Sequence, residues 1–403
     1  MTRILPIFLV MVLVLLPCCS EKPDMELPGQ DEIHTSRVVS RCIAEYGDYV
    51  YFQKDGRLMR YNRKTEEMQT LCTDPNCNAE CFFCSPIQET TQVVDGRLYS
   101  YYMRIWDHEY VYAYWDPVTN EVKVLLTLPE AETAEIWPPV LHGGYLYYTG
   151  QYLREGGSAE NPDDYQPYVG RVPMDGGKPE VMCPLESRYQ EILLAVTDGK
   201  AITSLNYCLY ATDFDTDERS LLFDPEEHGL ARRYEWYSYL DGYLYMLYHA
   251  PGFSEEKLVY EDIVTPGKCG YQFLVKIDIQ TGEMTQLLDE RIDHFWLTED
   301  TIYYTELGFR VFYIPEDYET NPNASMGLTL SLDTLYACDL DGSNRRAVYT
   351  DPLTIFSYKG TIIDNCYYGN LYVHDETQHK TNYDVYGKID FTTGEFTPAV
   401  IEE

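Results

Sequence analysis

An internal repeat constrains this chain more than any other feature. Seven times, a turn rich in Gly and Asp leads into a short aromatic or β-branched run. The copies are Gly47-Asp48-Tyr49-Val50-Tyr51, Asp95-Gly96-Arg97-Leu98-Tyr99, Gly143-Gly144-Tyr145-Leu146-Tyr147, Asp198-Gly199-Lys200-Ala201-Ile202, Asp241-Gly242-Tyr243-Leu244-Tyr245, Glu299-Asp300-Thr301-Ile302-Tyr303 and Tyr368-Gly369-Asn370-Leu371-Tyr372. Gly and Asp supply turn geometry, and the residues after them favour strands. A second turn follows in each unit, cleanest as Asp278-Ile279-Gln280-Thr281-Gly282-Glu283 and Asp390-Phe391-Thr392-Thr393-Gly394-Glu395. Other copies begin at Asn62, Asp116, Met174, Asp213 and Asp339, a step of about 55 residues against the roughly 40–50 of familiar propeller repeats. The surplus lies in insertions at Gln151–Tyr168, Pro251–Tyr271, Leu307–Leu332 and His374–Tyr383.

With a further strand candidate before each first turn, the unit holds four short strands. One such sheet cannot bury its own faces, whereas sheets packed face to face around an axis can. The expected fold is therefore all-β: a β-propeller of seven four-stranded blades, with six or eight as alternatives. No long 3.6-residue periodicity competes with it beyond the N-terminus.

Composition then narrows function. The chain carries 39 Tyr in 403 residues, most of them inside the repeats, where they read as blade packing. The formal charge of −36 disfavours phosphate backbones, so no nucleic-acid partner is expected.

Residues Ile4 to Pro17 are apolar and follow Arg3, and 14 residues suit a signal-peptide core better than the roughly 20 of a spanning helix. Leu15-Leu16-Pro17-Cys18, or Leu16-Pro17-Cys18-Cys19, resembles a bacterial lipobox, with Pro17 where a small residue is usual. That resemblance implies lipidation of Cys19 or Cys18 and a membrane anchor of two acyl chains. The expected organisation is a lipoprotein-type signal peptide (1–18), an acidic tether (19–36) and a propeller (37–403). It implies export to the outer face of the bacterial cytoplasmic membrane, at the cell surface. It sets no oligomeric state.

The segment Cys72-Thr73-Asp74-Pro75-Asn76-Cys77, with Cys81 and Cys84 after it, resembles the Cys-x-Asp-Pro-x-Cys-x-His…Cys segment of β-propeller lipoproteins of Gram-positive anaerobes. Their repeats are akin to TolB-like and low-density-lipoprotein-receptor-like propellers. Ala79 stands where the family has its His, and the resemblance implies fold and location without a reaction. By residue chemistry, Cys72, Cys77, Cys81 and Cys84 read first as two local disulfides in an exported protein. A four-thiolate zinc site is the second reading. No other cofactor is expected. Cys42 and Cys366 fall in blades that ring closure makes neighbours, which allows a closing disulfide.

Asp213, Asp215 and Asp217, with Asp224, resemble the start of a calcium loop, but Glu218 replaces the required Gly and the segment coincides with a repeat turn, so calcium is not expected. Tyr152, Tyr165, Tyr168, Tyr260, Tyr271, Tyr313 and Tyr318 sit in insertions and are the binding-loop candidates. The nucleophile-elbow, zincin, P-loop and dinucleotide motifs are missing. The expectation is thus a non-catalytic binding or scaffold module for a protein, peptide or glycan. The alternative is a secreted hydrolase, acting on glycosides or peptides, with carboxylates at the propeller channel.

Overall fold

The computed structural model describes residues 43–401 except 55–56, 75–76, 78–80, 85–90, 105, 133–138, 188–189, 198, 252–271, 289–291, 307, 314–326, 332–333, 351–353, 357–359 and 376–379. The expectations for Cys18, Cys19, Cys42, Tyr260, Tyr271 and Tyr318 lie outside these residues.

The repeat folds as seven four-stranded antiparallel blades in a ring: a seven-bladed β-propeller. The blades span 43–70, 91–129, 140–184, 191–223, 234–288, 292–350 and 354–398. Helix among the described residues is confined to short 3-10 turns at Glu130–Glu132, Pro162–Asp164 and Pro225–His228. First strands of neighbouring blades lie against one another, as Ile43–Tyr46 does with Thr91–Val94. Fourth strands such as Arg219–Phe223 expose much of their length. First strands therefore face the axis and fourth strands the rim.

Local chemistry explains the turns. Between first and second strands, Asp95-Gly96, Gly143-Gly144 and Asp241-Gly242 all have both φ angles positive, the conformation of type I′ hairpins. In blade 7 the equivalent turn is Asp364-Asn365, with φ of 49° and 61°. This corrects the seventh repeat copy: Tyr368-Gly369-Asn370-Leu371-Tyr372 lies within the strand Cys366–Asp375 rather than at a turn. Asn and Asp tolerate the left-handed region, so this turn carries no glycine for a Gly-based pattern to find.

The second turn is a side-chain device. Asp278 Oδ1 accepts from the N–H groups of Gln280 (2.7 Å) and Thr281 (3.0 Å), and Gly282 turns the chain at φ 75°. Asp390 does the same for Thr392 and Thr393, and Asn62, Asp116 and Asp213 repeat it.

Seven hydrophobic clusters fill the interfaces, one between each pair of neighbouring blades. Tyr51, Tyr99, Tyr147, Tyr245 and Tyr303 are all buried in them, as blade packing requires. In blade 3 the cross-strand partners Tyr148↔Gly170 and Gly150↔Tyr168 place each ring where the glycine's Cβ would be. Glycine is needed there for space, since an added Cβ would lie 2.5–2.7 Å from the tyrosine rings.

Ring closure joins blade 7 to blade 1. Phe52 stacks on Tyr386 at 3.6 Å, and Arg63 pairs with Asp364 at 2.7 Å. Blade 1 keeps its own four strands, and Val400–Ile401 adds a fifth, parallel to Glu67–Thr70 at the rim. The C-terminus is thus a clasp and not a swapped blade strand.

Antiparallel order gives the ring two unlike ends. First-to-second and third-to-fourth connections are the short turns above. Second-to-third and blade-to-blade connections leave from the opposite end. The connections of ten residues or more lie in these latter classes: 71–90, 130–139, 154–164, 224–233, 250–271 and 307–333.

Candidate functional site

The loop-bearing end departs from the repeat, and exposed aromatics mark it. Among the described residues, the exposed large aromatics are Trp106 (75%), Tyr152 (48%) and Tyr207 (41%). Trp106 and Tyr207 belong to the second-to-third connections of blades 2 and 4, and Tyr152 lies at the end of the second strand of blade 3, just before the same connection, so they occupy the same end of three consecutive blades. The loop after Tyr152 is pre-ordered. Arg154 N–H donates to Asp164 O (2.9 Å), Ser158 N–H to Asp164 Oδ2 (2.9 Å), and Arg154 Nη2 to Gln166 Oε1 (2.9 Å). A loop tied to itself loses less entropy when it takes a ligand.

Of the insertion tyrosines, Tyr152 is on this surface and Tyr165 is half-buried beside it. Tyr168 needs correction. The loop proper is 154–164, and Tyr168 lies in the strand Tyr165–Pro173, buried over Gly150 in the core between blades 2 and 3. Tyr313 sits in a hairpin, Gly308–Tyr313 with Gly327–Ser331, inserted into blade 6. Trp106 and Tyr207 escaped the insertion argument because their connections are short. Their signal is an aromatic between Ile105 and Asp107, or after Asn206, at a turn rather than in a strand.

The four clustered cysteines come together. Cys81 Sγ is 3.4 Å from Cys77 Sγ and 3.8 Å from Cys72 Sγ, and all four sulfurs lie within 4.8 Å of one another. All are free thiols, with Cys84 buried and the others half-buried. Burial pushes the Cys81 thiol up to about 12, reinforced by Cys77 beside it, and burial raises Cys84 as well. Four sulfurs around one point can hold a metal ion. The scattered Cys183, Cys208, Cys338 and Cys366 are buried free thiols in the blades.

The acids of the calcium-like segment have other partners. Asp213 receives the turn N–H groups of Asp215 and Thr216, which hold its carboxyl below the usual range. Asp217 takes the left-handed place that Gly282 has in blade 5. Asp224 caps the 3-10 turn at Glu226 N and pairs with Arg232 at 2.7 Å, which lowers its pKa. The segment is therefore the repeat's own hairpin turn.

Four acids that no sequence pattern singles out become distinct in the fold. Glu191 is fully buried in blade 4 and accepts from Thr203 Oγ1 (2.7 Å), Glu186 N (2.7 Å) and Arg219 Nη1. Glu235 is held low by His249 Nε2 (2.8 Å) and Arg233 Nε (2.9 Å). Asp293 and Glu306, near the loop-bearing end of blade 6, are both raised by burial.

Together these features define a seven-bladed propeller with one plain and one elaborated end. Solved structures with a similar arrangement include an oligogalacturonate lyase in complex with manganese (12% identity, 85% of this chain and 92% of that one, TM-score 0.48). Others are the oligogalacturonate lyase of Vibrio parahaemolyticus (10%, 89% and 96%, 0.46) and the acylaminoacyl peptidase of Pyrococcus horikoshii (11%, 85% and 53%, 0.47). The chain spans about half the length of that peptidase. At these identities the likeness is one of fold. No protein-family profile and no curated protein matches the chain, so the resemblance to propeller lipoproteins rests on the sequence pattern.

Proposed function

We propose that the protein is a lipid-anchored, extracytoplasmic β-propeller that works as a non-catalytic binding or scaffold module. Its loop-bearing end engages a protein, peptide or glycan. The observation that carries this reading is the placement of Trp106, Tyr152 and Tyr207 at one end of three consecutive blades. Exposed aromatics at a pre-ordered surface supply apolar area with little entropy loss, which is the use interfaces make of them. The anchor follows from the apolar run 4–17, Cys18 and Cys19, and the acidic segment behind them. Such a tether holds the propeller off the membrane.

Glycan and surface-protein arrays probed with the purified protein test the binding role. A ligand whose signal falls at least tenfold in Trp106→Ala/Tyr207→Ala supports it. A ligand unaffected by both substitutions, or none at all, overturns it. Fatty-acid labelling that Cys19→Ala and Cys18→Ala together fail to abolish would remove the anchor.

One observation favours a secreted hydrolase instead. Asp293 and Glu306 are half-buried carboxyls at the loop-bearing end of blade 6, both raised by burial as a general acid requires. Turnover on a glycoside or peptide panel, lost in Asp293→Asn, would replace the binding reading.

A further inference from the structure

We propose that Cys72, Cys77, Cys81 and Cys84 form a closed zinc site that clamps blade 1 to blade 2. Four sulfurs bound to one zinc at about 2.3 Å stand about 3.8 Å apart at the corners of a tetrahedron. The separations of 3.4 and 3.8 Å, with every pair inside 4.8 Å, match that geometry. Disulfides join sulfurs at about 2.0 Å and give no reason for two pairs to gather round one point.

Local backbone turns aim the sulfurs. Cys84 N–H donates to Cys81 O (3.0 Å) and Cys77 N–H to Asp74 O (3.2 Å), so each turn folds a cysteine back toward the others. Thiolates are soft ligands, which selects zinc over calcium, magnesium or manganese. Each thiol gives up its proton to solvent as its sulfur bonds the ion. Four protein ligands leave no open position for water or substrate, so the role is structural.

What the ion would hold is visible in the packing. The segment leaves the rim of blade 1 and reaches the axis of blade 2. Leu71 and Phe83 both meet blade 1 at one residue: Leu71 N–H donates to Leu58 O (3.1 Å), and Leu58 N–H donates to Phe83 O (2.8 Å). Between Cys81 and Cys84 the chain presents two rings to blade 2. Phe82 is buried edge-on to Tyr102 at 6.1 Å, and Phe83 is edge-on to Trp115 at 5.5 Å. The tetrathiolate thus closes the base of a two-phenylalanine wedge in the first blade interface. Among the described residues of 71–84 none lies in a strand or helix, so a bound metal would supply fixed points for this segment.

The test uses the full chain purified without chelator or added metal. Elemental analysis is expected to find about one zinc per chain, with the four thiols protected from alkylation until zinc is removed. Cobalt substitution should give the thiolate-to-metal charge-transfer and intense visible bands of a tetrahedral tetrathiolate site. Cys77→Ser should lose most of the zinc and melt several degrees lower, while Cys183→Ser should keep its zinc. Should Cys77→Ser fail to fold, the zinc stoichiometry and cobalt spectrum of the unaltered protein still decide. Metal-free protein whose mass shows two disulfides among these four cysteines overturns the proposal, as does zinc content unchanged in Cys77→Ser.

Discussion

The two ends of the ring are built from the same strands and differ in almost everything else. At the turn end each connection is short, and its residues answer to the backbone: positive φ at Asp95-Gly96 or Asp241-Gly242, and a carboxylate or amide folded over two N–H groups at Asn62, Asp116, Asp213, Asp278 and Asp390. At the loop end the connections vary in length. They carry the exposed aromatics, the self-bonded loop 154–164 and the converging thiols. Acids at the turn end are committed to folding, so the chain's high acid content is partly turn chemistry. The loop end is released from that demand and can specialise.

Substitutions can break this contrast. The largest effect is expected in the core that both ends share. Trp115 is 1% exposed and touches Tyr51 and Phe83, so Trp115→Ala should lower unfolding free energy by about 3–5 kcal/mol in urea titrations. At the turn end, Gly282→Ala should cost about 2 kcal/mol or more. Gly282 has φ 75°, and an added Cβ would fall 2.0 Å from the Leu222 carbonyl oxygen of blade 4. An unchanged urea midpoint would show that the turns are not needed for blade packing.

The third expectation concerns pH. His294 is buried against Trp236 and Trp296, and burial lowers its pKa to about 3. The unfolded chain binds a proton there near pH 6.5 and the folded one does not. Stability tied to this group is therefore complete above about 6.5 and falls by up to about 1.4 kcal/mol per pH unit as pH drops toward about 3. Asp293, raised by burial, works in the opposite direction, so the readout is the difference between the protein and His294→Phe, which should have the flatter profile. Equal slopes would place His294 in contact with water. The smallest stability effect belongs to the loop end: Trp106→Ala should shift unfolding by under about 0.5 kcal/mol while weakening ligand capture. A stability loss like that of Trp115→Ala would make Trp106 a packing residue and erase the distinction.

The contrast also explains what the sequence reveals. Turn-end chemistry is local. Asp278 and Thr281 sit a few residues apart, so their interaction is written in adjacent letters. Blade 7 shows the limit, because Asp364-Asn365 makes the same turn without glycine and the pattern slips to Tyr368. The aromatic face was only partly legible. Tyr152 stood out by lying in a long insertion, but Tyr168 in the same stretch turned inward over Gly150. Trp106 and Tyr207 lie in connections too short to attract notice. Inward and outward differ by strand register, which depends on the partner strand and not on the residue itself.

The amino-acid sequence alone determined the all-β class, the propeller and its preferred seven blades, because turn residues and strand preferences act within a few positions of one another. Only the tertiary structure decided how Val400–Ile401 clasps the rim of blade 1, which tyrosines reach solvent, and that four cysteines meet at one point. The clasp joins segments more than 300 residues apart, the tyrosines follow the register of their partner strands, and the sulfurs follow local turns closed by Cys77 N–H and Cys84 N–H; in each case many arrangements satisfy the same composition and geometry selects one.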